Sequence, residues 1–531
     1  MIPLTPARTR DWLTIHGWSG VWVGLLVYVV LLTGSIAVLV DDIGTWASPI
    51  DSVAPHGMPP GVDAGVDRLV EDLDPAYLDL ALLYPRAGGR TRVVFYGEPT
   101  TSDGGREPRA LLFDLHPDTQ AVMARHETSQ DAIFDFEPAG ALSNFYSGLH
   151  VHLHLPDPWG DWLVAIAALA LMIAVITGFV VHGHLLKELF TLRRRGAALL
   201  QTRDTHTITG TWALIFLALA AVTGGYFSLH GLVSEPVLER AYARSDAGEL
   251  HAFTDLPDRP EDSTPAPRAD LDAMFDDARQ RSGGGEPMFV VIERWGQADA
   301  HVSVWTTAPD GGLSNRIYGY DGATGRYLRD EPLLGARPSL GGDLVGLIRP
   351  LHFGDFAGLP SKLVWTGMGL LGATVTLTGL LLWLRRREAD PSWVWLDRLT
   401  TTIGYGLPCA MALAPAGFFV GIGLPLNIYT AIFTAFGLGL LLAIVATMTA
   451  PATVARGRLR RATGLALLLS VSLRWLTGGP GWIDAIVQGQ LTVLVLDAAM
   501  VLTALVLLWR KRPATEPARA RRTRRIEDGA G

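Results

Sequence analysis

The chain has 531 residues, 49% of them hydrophobic, with sixteen Trp, a formal net charge of −8 and one cysteine. With Cys409 alone there are no disulfides, no Cys-ligated iron–sulfur cluster and no covalent CxxCH haem attachment, so any metal must be held by His or oxygen. The apolar content predicts a polytopic membrane protein with sizeable extramembrane parts; no P-loop and no GxGxxG after a strand is present, and no nucleic-acid partner is expected.

Residues 1–17 are a short basic lead that ends near His16. The first span, 17–40, carries Trp18 and Trp22 at the depth of an interfacial aromatic belt and lacks a small-residue cleavage site, so it reads as a retained anchor. A first outer domain follows over 41–157, with a helix at 63–80 and strands at 91–97 and 109–117. The second span then organises the chain: in LHVHLHLPDPWGDWLVAIAALALMIAVITGFVVHGH, residues 149–184, an uncharged stretch over 162–181 has histidines at both ends. At about 1.5 Å per residue it covers the roughly 30 Å hydrocarbon thickness of a bilayer. Pro158 suits a first helical turn, which leaves His150, His152 and His154 on a separate boundary segment.

The third span, 207–229, has His206 at its start and His230 just past its end. A second outer domain over 231–361 repeats the order of the first, a helix at 269–281 and then strand-like runs joined by the turn DGATG. The fourth span, 362–384, is preceded by His352 and closed by Arg385, Arg386 and Arg387. Four more spans are predicted at 402–423, 426–449, 462–477 and 489–509, the third of them shortened by Arg474, before a basic tail at 510–531. The predicted division is therefore 1–40, 41–157, 158–230, 231–361, 362–387, 402–509 and 510–531. The fold class is an all-α membrane bundle of about eight spans with two small α+β domains in the long loops.

Charge orients this arrangement. Residues 41–155 hold 18 Asp and Glu against 7 Arg, and 231–350 hold 20 against 12, whereas the short connections are rich in Arg. The positive-inside rule then puts both termini and every Arg-rich connection in the cytoplasm, with both acidic domains outside.

Eight of the fourteen histidines lie within a few residues of a predicted membrane boundary. His16, His182, His184 and His206 form an inner layer, and His150, His152, His154 and His352 an outer one, with His230 as a further candidate. Two layers of neutral imidazoles inside a helical bundle match the needs of two bis-histidine haems, each iron taking one nitrogen from each of two facing segments. His154 and His182 would stand roughly 40 Å apart on a continuous helix, too far to share one haem. Alternatives stay open: interfacial packing, or a metal site built from HxHxH alone. The last four spans hold no His, so the chemistry is confined to the first four.

The pieces WLTIHGWSGVWVGLLVYVVLLTGSIAV, LHVHLHLPDPWGDWLVAIAALALMIAVITGFVVHGHLLKELFTLR, DTHTITGTW and LHFGDFAGLPSKLVWTGMGLLGATVTLTGLLLWLRRR resemble the PepSY-associated transmembrane family, over roughly residues 10–390. That family includes siderophore-iron reductases and iron-regulated inner-membrane proteins. The resemblance implies a four-helix haem-binding core, PepSY-like periplasmic domains, and two haem b groups with His16, His150, His154, His182, His206 and His352 as axial-ligand candidates. It further implies an inner-membrane oxidoreductase that takes electrons from quinol or a cytoplasmic donor and reduces a ferric siderophore. The alternative expectation is a non-enzymatic permease or scaffold for iron uptake or for regulation of a periplasmic protease.

Overall fold

The computed structural model describes residues 5–47, 57–86, 89–100, 104–129, 138–181, 198–242, 262–308, 313, 315–332, 339–424, 426–487 and 489–509. In chain order its elements are α1 (Pro6–Ala37), α2 (Val40–Ala47), α3 (Val62–Glu71), β1 (Leu80–Pro85), β2 (Thr91–Gly97), β3 (Arg109–Leu115), β4 (Val122–Ser129), α4 (Pro138–Val151), α5 (Trp159–Val181) and α6 (Ala198–Tyr242). Then come α7 (Leu271–Arg281), β5 (Pro287–Glu293), β6 (His301–Thr306), β7 (Arg316–Asp321), β8 (Tyr327–Glu331), α8 (Leu340–Phe353), α9 (Gly358–Arg385), α10 (Val394–Gly423), α11 (Ile428–Thr449), α12 (Ala452–Leu476), α13 (Trp482–Val487) and α14 (Leu491–Leu508).

Helices α1, α5, α6 and α9 close a ring in which each packs on two neighbours, α1 on α5, α5 on α6, α6 on α9 and α9 on α1. Both long insertions leave this ring at the end where α1 and α6 finish and α5 and α9 begin, here called the sheet end. The Arg-rich end lies opposite. The short helices α4 and α8 sit at the sheet end and lead into α5 and α9.

Seven described helices are long and apolar enough to cross a membrane, one fewer than the sequence predicts. The missing one is α12, whose 25 residues include Arg456, Arg458, Arg460, Arg461 and Arg474. Its path follows that of α10 all the same. Near the start of α12, Arg456 bonds Thr401 and Asp397 at the beginning of α10, and further along Ser470 donates to the Ala412 carbonyl at 3.0 Å. Arg474 is compensated inside the protein: its guanidinium meets Asp497 at 2.6 Å, with the two side chains 1% and 0% exposed. The indoles of Trp46 and Trp482 donate to the same carboxylate at 2.8 and 2.9 Å. A charge that interrupts a hydropathy profile is thus one half of a buried, hydrogen-bonded pair.

The expectation of two separate outer domains needs correction. All eight strands form one antiparallel sheet in the order β4-β3-β2-β1-β5-β6-β7-β8. The halves join where β1 pairs β5, Leu80 opposite Glu293 through Leu83 opposite Val290. Each half is a four-stranded meander, and its first strand would otherwise leave an open edge; pairing the two edges satisfies both rows of backbone groups. The strands predicted at 91–97 and 109–117 appear as β2 and β3, and the structure adds β1 and β4, which the sequence reading does not predict. The helix predicted over 63–80 ends at Glu71, because Asp74 and Pro75 start a separate 3₁₀ turn.

Helices α3 and α7 cover one face of the sheet and share its core with Val93, Phe95, Val290 and Tyr318. Their N-termini cap each other. Asp63 accepts from the Leu271 N–H at 2.9 Å, and Asp272 accepts from the N–H groups of Gly61 and Asp63 at 3.1 and 3.2 Å. Each helix start therefore satisfies orphan donors of the other. Burial pushes both carboxyls above their ordinary range, against the pull of those N–H donors.

Candidate site: two histidine pairs in the helical ring

At the Arg-rich end, His16 on α1 and His206 on α6 have ring centroids 6.2 Å apart with their planes 63° from parallel. The Nδ1 of His16 lies 2.9 Å from the Thr177 hydroxyl on α5. That hydroxyl has one proton, and donates it back to the Ile173 carbonyl at 2.7 Å. Towards His16 it is left as an acceptor, so Nδ1 carries the ring proton and Nε2 the lone pair. For His206 the partner of Nδ1 is the Val375 carbonyl on α9 at 2.8 Å. A carbonyl only accepts, and the same tautomer follows.

At the sheet end, His150 on α4 and His352 on α8 repeat the arrangement. Their centroids are also 6.2 Å apart, here with planes only 20° from parallel. The Nδ1 of His352 lies 2.9 Å from the Thr223 hydroxyl, which donates to the Leu219 carbonyl at 2.8 Å. The Nδ1 of His150 lies 3.4 Å from the Thr33 hydroxyl, which donates to the Val29 carbonyl at 2.9 Å. Each hydroxyl is again an acceptor, and all four rings carry their lone pair on Nε2.

A glycine follows in each cradle. A Cβ at Gly178 would stand 3.5 Å from Cε1 of His16, at Gly379 3.0 Å from that of His206, at Gly34 2.7 Å from that of His150, and at Gly224 3.3 Å from that of His352. Four Thr-Gly dipeptides, 33–34, 177–178, 223–224 and 378–379, thus line the ring, one on each long helix. At the fourth, Thr378 donates to the Val375 carbonyl that holds His206. Gly34 lies 18 residues after His16 and Gly224 lies 18 after His206. That is five turns at 3.6 residues per turn and roughly 27 Å of rise, so α1 and α6 each turn one face to both pairs.

His352 reaches its place through a sharp reversal. Ser339 caps α8 by accepting from the Gly342 N–H at 3.1 Å, and Gly354 ends the helix at φ +66°. A Cβ at Gly354 would sit 2.5 Å from Trp365, whose indole donates to the Leu351 carbonyl at 2.8 Å. Both the left-handed backbone and the close approach require glycine. His150 and His352 also line a cavity of about 650 Å³, along with Gly34, Gly224, Asp157 and Asp161. That volume suits a bound cofactor.

The residues fit a pair of six-coordinate haems. A metal–imidazole bond of about 2.0 Å, with the nitrogen about 1.1 Å from the ring centre, puts the centroids of two imidazoles on opposite sides of one iron about 6 Å apart. Both pairs have that spacing, the required tautomers, and small residues where a flat macrocycle needs room. Among the described residues no three His, Cys, Asp or Glu side chains converge on one point, so they build no site from HxHxH alone.

The model of the PepSY-associated TM region matches residues 13–386, a stretch that holds all four of these histidines and all four cradles. The chain belongs to this family. It is also similar to the uncharacterized protein PA4219 of Pseudomonas aeruginosa, 28% identical over 405 residues, covering 71% of this chain and 96% of that protein. Helices α10 to α14 lie beyond the matched family region.

Of the six candidate ligands, the structure brings together His16 with His206 and His150 with His352. His182 lies outside the described residues, as does His184. His154 is turned elsewhere. Leu153 and His154 take left-handed backbone, φ +56° and +52°, so the helix that carries His150 ends at Val151 and His154 does not continue its face. The His154 ring stacks on Phe145 at 5.0 Å, meets Phe433 on α11 at 4.8 Å, and donates from Nε2 to the Phe145 carbonyl at 2.8 Å. Its lone pair is on Nδ1, away from the pattern of the other four. The threonines were not foreseen. Their signal was present as a repeated Thr-Gly, but 209–210 and 366–367 carry the same dipeptide without holding a histidine.

Proposed function

We propose that this chain is a di-haem b oxidoreductase of the bacterial inner membrane, with His16 and His206 holding one haem and His150 and His352 the other. The observation that carries the reading is the fourfold repetition of one tautomer in two pairs of imidazoles, each pair with ring centroids 6.2 Å apart, in one helical ring. Interfacial histidines that only pack would have no reason to share a proton position, and this favours the reductase over a scaffold or permease.

Bound haem iron supplies a one-electron relay between its ferric and ferrous forms. The protein's own part is to hold each Nδ1 proton on Thr177, Val375, Thr33 or Thr223, which fixes ring orientation and keeps Nε2 basic. The ring of apolar helices excludes water between the pairs. By the positive-inside rule the Arg-rich end is cytoplasmic, and so are both termini, which puts a quinol or cytoplasmic donor at His16 and His206. The sheet end then faces the periplasm, where the acceptor is Fe(III) in a siderophore. Its reduction lowers the charge on the metal and weakens its hold on hard oxygen ligands.

The test is a dithionite-reduced minus oxidised spectrum of the protein in mild detergent, with a pyridine haemochrome count. Two haems b per chain are expected, His206→Ala and His352→Ala each removing one. Absence of haem after haem-replete expression would overturn the reading.

A further inference from the structure

We propose that helices α10 to α14, beyond the matched family region, are the wall that sets the ring plane of His150, and that Tyr146 is the positioning residue through which they act. The role in tuning a metal centre rests on the di-haem reading; the mechanical hold on α4 does not.

His150 is placed differently from its three counterparts. His16 and His206 ride on long helices of the ring. His352 sits on a short helix, but one tied to α6 through Thr223 and to α9 through the Trp365 indole. The helix under His150, α4, has 14 residues and is not among the membrane-spanning candidates. A buried polar anchor of this helix points to the C-terminal helices. The Tyr146 hydroxyl, one turn before His150 and buried, donates to the Met411 carbonyl on α10 at 2.7 Å.

That carbonyl accepts for a reason written in the sequence. In a helix the Met411 oxygen would take the N–H four residues on, and residue 415 is proline, which has none. The orphaned acceptor is directed at α4. Around this bond Phe145 packs edge-on against Phe433 and Phe436 of α11 at 5.2 and 5.3 Å. On its other side, Ser143 donates to the Val40 carbonyl of α2 at 2.7 Å, and Trp46 of α2 donates to the buried Asp497 on α14. The C-terminal helices thus grip α4 directly and again through α2.

The consequence is selective. Of the four paired histidines His150 is the one carried on a short helix that the wall holds, and its pair has nearly parallel rings whereas the inner pair is strongly twisted. In a low-spin ferric haem the angle between axial ring planes governs the g-anisotropy: near-parallel planes give a rhombic signal and strongly twisted planes an axial one. The two centres are therefore separable in one spectrum.

The experiment uses the full chain in detergent with Tyr146→Phe, Pro415→Ala, the double variant, and Ser470→Ala as a control that removes a bond inside the wall. Wild type should give one rhombic and one axial signal. Tyr146→Phe should change the rhombic signal alone. Pro415→Ala gives Met411 a helical N–H, so the double variant should recover stability while keeping the altered signal, a split that loss of fold does not produce. Unchanged spectra in Tyr146→Phe, or equal changes in both signals, would overturn the proposal. Amide exchange over residues 140–151 tests the hold on α4 without any haem. Tyr146→Phe should speed it about tenfold, the ratio for one lost buried hydrogen bond, and leave α9 unaffected. Unchanged exchange would overturn the proposal even in a haem-loaded protein. Faster exchange in a protein that never binds haem would overturn the di-haem reading while upholding the grip on α4.

Discussion

Proline also explains how α1 is fastened to α10, and the explanation can be measured. The Tyr28 hydroxyl, 4% exposed, donates to the Gly404 carbonyl at 2.7 Å. Residue 408 is Pro, so Gly404 has no helical donor. Tyr28→Phe removes the tyrosine partner and leaves a carbonyl inside the bundle. An unsatisfied buried acceptor costs about 1–3 kcal/mol in soluble proteins. Interhelical bonds in membranes average about 0.6 kcal/mol and reach about 1.7, because the reference state finds other partners. Here the helix itself withholds the alternative, so the upper part of the membrane range applies, about 1.5 kcal/mol. Pro408→Ala restores an N–H to Gly404, and in that background Tyr28→Phe should cost no more than about 0.6 kcal/mol. The assay is a double-mutant cycle by chemical unfolding of the full chain in mixed micelles, with an expected coupling of about 1 kcal/mol. An equal cost in both backgrounds would refute the idea that the proline creates the acceptor.

Three further outcomes are expected. Gly34→Ala drives a methyl to 2.7 Å from His150 and should destabilise by about 1–3 kcal/mol and reduce haem binding from two to one on the proposed function; Gly20→Ala, with nothing within 4 Å, should gain about 0.5–1 kcal/mol from helix propensity, and matching losses in both would contradict the cradle. Asp497→Ala strands the Arg474 guanidinium among buried groups and should cost about 3–5 kcal/mol, read by unfolding, with a loss below about 1 kcal/mol counting against the pair. The raised carboxyls of Asp63 and Asp272 bind protons more tightly in the folded sheet than in the unfolded chain. Their contribution is fully present below the ordinary carboxylate range and is lost as pH rises through the raised values. Across that window the stability of wild type relative to Asp63→Asn/Asp272→Asn should therefore fall with rising pH, and parallel pH curves would show that the carboxyls do not titrate as described.

Much of this protein is legible in one dimension. The unbroken apolar stretch at 162–181, the proline that starts α5, the Arg-rich connections and the runs rich in β-branched and aromatic residues at β2, β3, β5 and β6 each depend on neighbours in sequence, and each element formed close to its expected bounds. The histidines too announced themselves by clustering at the ends of apolar helices. What the pattern does not carry is anything that depends on a partner distant in the chain. That β1 joins β5 is a matter of two open edges meeting, 207 residues apart from Leu83 to Val290. That His150 is paired and His154 turned away depends on two left-handed residues before Pro156, whose backbone no periodicity encodes. Arg474 breaks the apolar run by sequence, and only its burial against Asp497 shows a matched charge.

The nature of the elements was thus set by local composition, because a bilayer admits few backbone arrangements and imposes them on any apolar stretch of sufficient length. The identity of the site was decided by tertiary structure, because a ring proton is assigned by whichever oxygen the fold brings to Nδ1. A threonine hydroxyl whose one hydrogen is already given to its own helix can only accept, as can the Val375 carbonyl, and the four imidazoles facing these oxygens take the same tautomer as a result.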